Sequence, residues 1–193
     1  MIPLPRSFFR RPAEVVARDL IGATIVSALG GARVTGHISE TEAYLGRDDP
    51  ASHAYRGRRH AGNASLYGRP GTWYVYRSYG IHWCANLVCT SPGGGGAVLL
   101  RGVLPLEGLD VLRRRRGPVP DRRLSDGPGK LCQALGITRS LDGLMMRESP
   151  VVIGVERKRP IGEVLVTPRI GITRAADWPL RFVSNADSSS RRL

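Results

Sequence analysis

Lysine is nearly absent from this chain. Only Lys130 and Lys158 occur in 193 residues, so almost all of the 29 basic side chains are arginines. Cysteine is as scarce. Cys84, Cys89 and Cys132 are odd in number and lack CxxC spacing, which speaks against a disulfide framework or a zinc site. His37, His53, His60 and His82 form no HxH or HxxxH pair, so no metal is expected. Long apolar runs are missing. The stretch Ala97-Val98-Leu99-Leu100 is among the longest, whereas a membrane helix needs about 20 apolar residues. Near the start, Arg6, Arg10 and Arg11 stand without an apolar stretch or a small-residue cleavage site. No signal peptide is read there, and a cytoplasmic location is expected.

Acidic residues are few, and the balance of 29 Lys+Arg over 16 Asp+Glu leaves a net charge of +13. Arginine keeps its charge and forks bidentately onto phosphate, so the excess points to a polyanion, nucleic acid above all. A GC-rich genome would favour arginine over lysine codons, but it does not explain the excess itself. At 41% hydrophobic residues the chain is too apolar for a basic disordered tail. A chain of this length can bury roughly 70% of its unfolded surface and needs no staple. One domain over residues 1–184 is expected, with 185–193 a serine- and arginine-rich disordered tail.

Short elements can be read along the chain. Residues 12–20 read as a helix with Val15, Val16 and Leu20 on one side and Gly22 as its stop. Residues 24–29 and 32–44 read as a hairpin turned by Gly30-Gly31, and 47–71 as a long, functional loop. Strands are expected at 72–78, 81–89 and 97–104, with Tyr79-Gly80 as a turn and 92–96 as a flexible connection. Helices are expected at 107–116 and 129–135, and further strands at 151–155, 164–167, 169–173 and 180–183. Strands outnumber helices without βαβ alternation. The expected class is therefore α+β, a single domain with a curved, mostly antiparallel sheet flanked by short helices.

Three segments could carry chemistry. Strand alternation puts Ile38, Glu40, Glu42 and Tyr44 on one face. Buried carboxylates there must pair with arginines or do acid–base work, and a general base that activates water is one such use. Tyr79 at a hairpin tip has little core to join. It can wedge into a duplex or fold back onto its own hairpin. Residues 125–131, with Lys130 in the first turn of a helix, suit either a phosphate or a plain cap. Arg113–Arg116 reads as a solvated face.

Glu40-Thr41-Glu42-Ala43-Tyr44-Leu45-Gly46, His53, Pro70–Tyr76 running into Tyr79-Gly80, Cys84-Ala85-Asn86, Val98–Arg101, Gly127–Leu135 and Pro168–Ile172 occur in an order that resembles the alkyladenine (3-methyladenine) DNA glycosylase family. The likeness runs from about Leu20 to Phe182. It implies a monofunctional base-excision repair enzyme, without cofactor and monomeric, acting on double-stranded damaged DNA. Such an enzyme flips an alkylated purine from the duplex and hydrolyses its N-glycosidic bond.

The resemblance also assigns roles. Glu42 becomes the general base, Arg101 and the Ile170 carbonyl position the water, and Tyr44, His53 and Tyr76 wall the base pocket. Asn86 discourages guanine, and Tyr79 fills the gap left by the flipped nucleotide. Gly62 stands where the family more often has an arginine, which touches a DNA-backbone contact rather than the chemistry. A two-residue turn at Tyr79-Gly80 would put Tyr76 and Asn86 on opposite faces, so a bulge or register change is required if both reach the pocket. The alternative from a different class is a non-catalytic nucleic-acid-binding module. It would gain nothing from carboxylates facing a polyanion.

Overall fold

A computed structural model of the protein describes residues 1–90, 94–155 and 162–185. Its scaffold is one antiparallel sheet, curled into a half-barrel. The strands are β1 (Ile2–Pro3), β2 (Thr24–Ser27), β3 (Val34–Tyr44), β4 (Trp73–Ser78), β5 (His82–Cys89), β6 (Gly96–Glu107), β7 (Val151–Val155), β8 (Val164–Thr167) and β9 (Arg181–Ser184). They pair in the order β1-β7-β2-β3-β6-β5-β4. The long strand β3 is the hub. β6 runs along one of its edges, while β2 takes the first half of the other edge and β9 the second. The α+β expectation holds.

Helix α1 (Ala13–Leu20) starts behind Pro12, whose carbonyl accepts from the Val15 and Val16 amides. Its buried face is Ala13, Val16, Ala17 and Leu20, the i, i+3, i+4, i+7 stripe of a helix. Val15, expected on that face, is exposed. Helices α2 (Leu109–Arg116) and α3 (Pro128–Leu135) complete the cover. Trp73, Val75, Leu87, Val98, Leu100 and Ala43 point into the main core with Val16, Leu20, Leu131 and Leu135. Alternation then sends Tyr74, Tyr76, Asn86, Leu99 and Arg101 to the other face of the sheet, where they line a cavity. The segment 47–71 folds over that face through short 3-10 turns at Tyr55–Gly57 and Ala61–Tyr67. There it packs a satellite cluster of Ala54, Leu66, Tyr74, Val88 and Ala97.

Four local expectations need correction. Ile38 does not share a face with Glu40, because the pairing of β3 with β6 shifts register between them; Ile38 joins the main core while Glu40 meets arginines. Residues 169–173 form a loop rather than a strand. The Arg113–Arg116 run is more than a solvated face. Arg115 donates to the carbonyls of Leu29 and Ala134, and Arg116 to that of Leu124, so α2 is laced to the neighbouring chain. The turn of the β4–β5 hairpin is one residue longer than expected. Ser78 pairs with His82, leaving Tyr79, Gly80 and Ile81 as a three-residue loop. Of the expected tail at 185–193, Asn185 is described and donates its amide to the Glu163 carbonyl at 2.9 Å, while 186–193 lie outside the described residues, as do residues 92 and 93 of the expected connection at 92–96.

Candidate active site

The extra loop residue settles the register. With Ser78 opposite His82, Tyr76 faces Cys84 and Tyr74 faces Asn86, so Tyr74, Tyr76 and Asn86 share one face. Tyr79 and Gly80 both take positive φ, 49° and 69°. For glycine that is free, whereas for tyrosine it is uncommon and turns the side chain away from the sheet. Tyr79 is 90% exposed. It projects at the rim of the cavity rather than folding back, and it lines that cavity together with Ser78 and Pro128. Helix α3 approaches closely here. A Cβ on Gly129 would lie 2.8 Å from the His82 Cβ, so only glycine lets the first turn of α3 rest against the base of the hairpin.

The cavity holds ≈ 500 Å³ and is lined by Tyr44, His53, Tyr76, Asn86, Arg101 and Ile170 among others. Its wall is aromatic. The His53 and Tyr76 rings meet edge-on at 4.5 Å between centroids, and Tyr74 stacks on Tyr76 at 5.3 Å. His53 Nδ1 and the Tyr74 hydroxyl are 2.7 Å apart. Burial, helped by the nearby His60, holds His53 below its usual 6.5, so it is neutral at pH 7. Burial also pushes the phenols of Tyr44 and Tyr76 up, and for Tyr44 the Glu42 carboxylate adds to the rise. Both remain protonated. Asn86 is buried and donates from Nδ2 to the Tyr74 carbonyl at 3.1 Å.

Glu42 lies just behind this wall. It is fully buried and does not itself line the cavity. Its carboxylate collects donors from residues that do. The Ile170 amide reaches Oε1 at 2.8 Å, and the Tyr44 hydroxyl reaches Oε2 at 2.9 Å. Arg101 Nη1 reaches Oε2 at 3.4 Å, the longest of the three contacts. Ile170 meets Glu42 through its amide.

Glu40, left without a role by the sequence, anchors the arginine. Its Oε1 accepts from Arg101 Nε at 2.9 Å and from Arg181 Nε at 2.6 Å. Burial alone would raise its pKa, but the two guanidiniums outweigh burial and hold it below 4.5. A carboxyl depressed in this way stabilises the fold above its unfolded pKa and loses that contribution as pH falls through the folded value. Melting temperatures of wild type and Glu40→Gln, compared at pH 7 and in steps below pH 4.5, should therefore converge on acidification. A gap that is constant with pH would refute the linkage.

One ion pair beside the site had no sequence signal as a pair. Asp49 and Arg169, 120 positions apart, form a fully buried pair with bonds of 2.5 and 2.9 Å. Arg169 sits within a recognisable motif, but nothing local announces its partner. Asn63 is structural: its Nδ2 donates to the carbonyls of His53 and Arg58, fixing the loop that carries His53. Lys130 pairs with Asp126 at 2.8 Å, which favours the plain-cap reading of that helix start.

Behind the aromatic wall lies a second cavity of ≈ 480 Å³, sharing His53, Tyr74 and Tyr76 with the first. Arg58, Arg77, Arg139 and Arg174 line it, as does Gly62. None of these four guanidiniums forms an ion pair with a described residue. Four guanidiniums against the single carboxylate of Asp142 suit this cavity to an anion. Among the described residues no group of three or more His, Cys, Asp or Glu is placed to hold a metal ion, and no helix is long and apolar enough to cross a membrane.

The family model described as methylpurine-DNA glycosylase matches residues 7–188. A protein of Granulibacter bethesdensis, provisionally named a 3-methyladenine DNA glycosylase, is 50% identical over 182 residues, covering 93% of this chain and 82% of its own. Similarly named proteins of Rhodopseudomonas palustris and Agrobacterium fabrum are 49% and 47% identical, each over 93% of this chain and over 86% and 87% of their own.

Proposed function

Because the chain belongs to the methylpurine-DNA glycosylase family, we propose that it excises alkylated purines of the 3-methyladenine class from duplex DNA, using Glu42 to activate water. The observation that carries this reading is the buried Glu42 carboxylate, gripped by Tyr44, Arg101 and the Ile170 amide at the back of an aromatic cavity.

A base inside a duplex is out of reach of such a cavity, so the nucleotide is turned out, at a cost of a few kcal/mol. Tyr79 at the rim fills the vacated stack. Alkylation at N3 or N7 makes the purine cationic, which suits stacking on the Tyr44 and Tyr76 rings. A neutral His53 adds no repulsion, and Asn86 on the same face supplies an amide edge that reads the base. The weakly held position on Glu42 Oε2, where Arg101 stands at 3.4 Å, is where a water can share the carboxylate. Glu42 takes its proton as the water oxygen bonds to the sugar C1′. The C1′–N electron pair leaves with the base, neutralising its positive charge. The carboxylate also opposes the positive charge that grows on the sugar. The four arginines of the second cavity offer donors for a backbone phosphate.

The reading is tested by release of free base from methylated duplex DNA in the presence of EDTA. Release is the expected result. No release by a folded protein that still binds DNA would turn the assignment toward a non-catalytic binder. Tyr79→Ala should weaken retention on lesion DNA and slow excision by about tenfold or more, on the scale of a lost stacking contact of 1–3 kcal/mol. Wild-type kinetics from that variant would refute the wedge.

A further inference from the structure

We infer that the buried Asp49–Arg169 pair is the positioning device of the Glu42 carboxylate, an inference that rests on the role proposed for Glu42. The argument begins with what the pair grips. Asp49 Oδ2 accepts from the Leu45 amide at 3.1 Å, and Arg169 Nη1 donates to the Ala43 carbonyl at 3.0 Å. The two charged groups therefore hold the backbone on both sides of Tyr44. The Arg169 guanidinium also stands over the Tyr44 ring, 4.8 Å from its centroid. Next in the chain after Arg169 is Ile170, whose amide meets Glu42 Oε1 at 2.8 Å.

Two of the three donors on Glu42 are thus set by one ion pair. The Tyr44 hydroxyl is aimed by the grip on Ala43, Leu45 and the ring, and the Ile170 amide is delivered by Arg169 itself. The third donor, Arg101, is aimed separately by Glu40. Among the described residues the loop 168–172 has no strand pairing, and the buried ion pair of Arg169 is the anchor next to Ile170. Asp49 is built for the task. Besides Arg169 it accepts the Ala51 amide at 3.0 Å, and each of its oxygens carries one amide and one guanidinium nitrogen. Arginine's planar fork matches this carboxylate in a way that lysine's point charge does not.

Apolar replacement removes two buried charges and their desolvation together, while the Leu45 and Ala51 amides and the Ala43 carbonyl lose their partners. If the pair is merely structural, that costs stability and leaves the rate per folded molecule unchanged. If it positions Glu42, that rate falls as well. The test is the double variant Asp49→Leu/Arg169→Met, with Arg169→Lys beside it as the conservative change. Single-turnover excision is measured against enzyme concentration, which separates the rate constant from half-saturation, and melting reports folding. The expected result is a folded protein whose half-saturation on lesion DNA stays within about threefold of wild type. Its rate constant should fall by about 10- to 100-fold, the range for supporting residues. Arg169→Lys should show the same split in milder form. A folded double variant with a wild-type rate constant overturns the inference. So does an Arg169→Lys variant in which rate and half-saturation change only in proportion to the folded fraction, and this variant decides the matter if the double variant does not fold. Wild-type excision by Glu42→Gln would instead remove the underlying reading of Glu42 and leave the pair without a client.

Discussion

Replacing Glu42 by glutamine is expected to slow single-turnover base release by about 10²–10⁴-fold while lesion DNA still binds, the scale of a lost general base. The variant is not silent for the fold. Three donors converge on the carboxylate: the Ile170 amide, the Tyr44 hydroxyl and Arg101. A glutamine offers one acceptor oxygen and turns an NH₂ group toward the remaining donors. A buried donor left facing another costs about 1–3 kcal/mol, or about 2–12 °C of melting temperature for a chain of this size. Excision must therefore be compared well below the melting point of the variant. A folded variant that releases base at the wild-type rate would remove Glu42 from the chemistry. Loss of DNA binding in the same proportion as excision would make it a binding residue instead.

Arg101→Met should be strongly destabilising. One guanidinium serves two buried carboxylates, bonding Glu40 through Nε and Glu42 through Nη1. Methionine can fill much of the space but leaves both acids short of a cation. Glu40 keeps Arg181, while Glu42 keeps only its neutral donors. Breaking a buried pair from one side costs about 3–5 kcal/mol, or roughly 6–20 °C of melting temperature. Activity should fall further than stability explains, since the water loses the group that shares Oε2 with it. Melting combined with excision per folded molecule checks both parts. A variant as stable as wild type would mean that the shared guanidinium is not needed to offset the two charges.

The face assignments were legible wherever strands run without interruption. Alternation alone separates Trp73 and Val75 from Tyr74 and Tyr76, and the β-branched and apolar pattern finds β3, β5 and β6. Alternation fails where the ladder slips. Ile38 follows the core because the β3–β6 register shifts before Glu40, and no residue type in that stretch announces the slip. The Arg169–Thr173 segment has strand-like composition but no strand partner among the described residues; Glu42 takes up the Ile170 amide and Asp49 the Arg169 side chain instead. In helix α1 the buried stripe uses two alanines rather than Val15, because position around the helix outranks hydrophobicity. Long-range charge pairs are the least legible feature. Asp49 carries no local signal, and the motif around Arg169 does not name its partner until the fold brings the two together.

The odd-numbered loop at the hairpin tip has a consequence for how this protein can change. Because side chains alternate, the number of residues between Ser78 and His82 acts as a parity bit for everything beyond it on β5. Losing or gaining one residue there would exchange the faces of Cys84 and Asn86 with those of Ala85 and Leu87, turning the cavity lining into core and core into lining. Point substitutions at the tip leave the bit untouched, and so does growth by two. Natural variation and engineered probes of the projecting aromatic are thereby confined to even steps in length, although nothing in the tip itself touches the buried carboxylate.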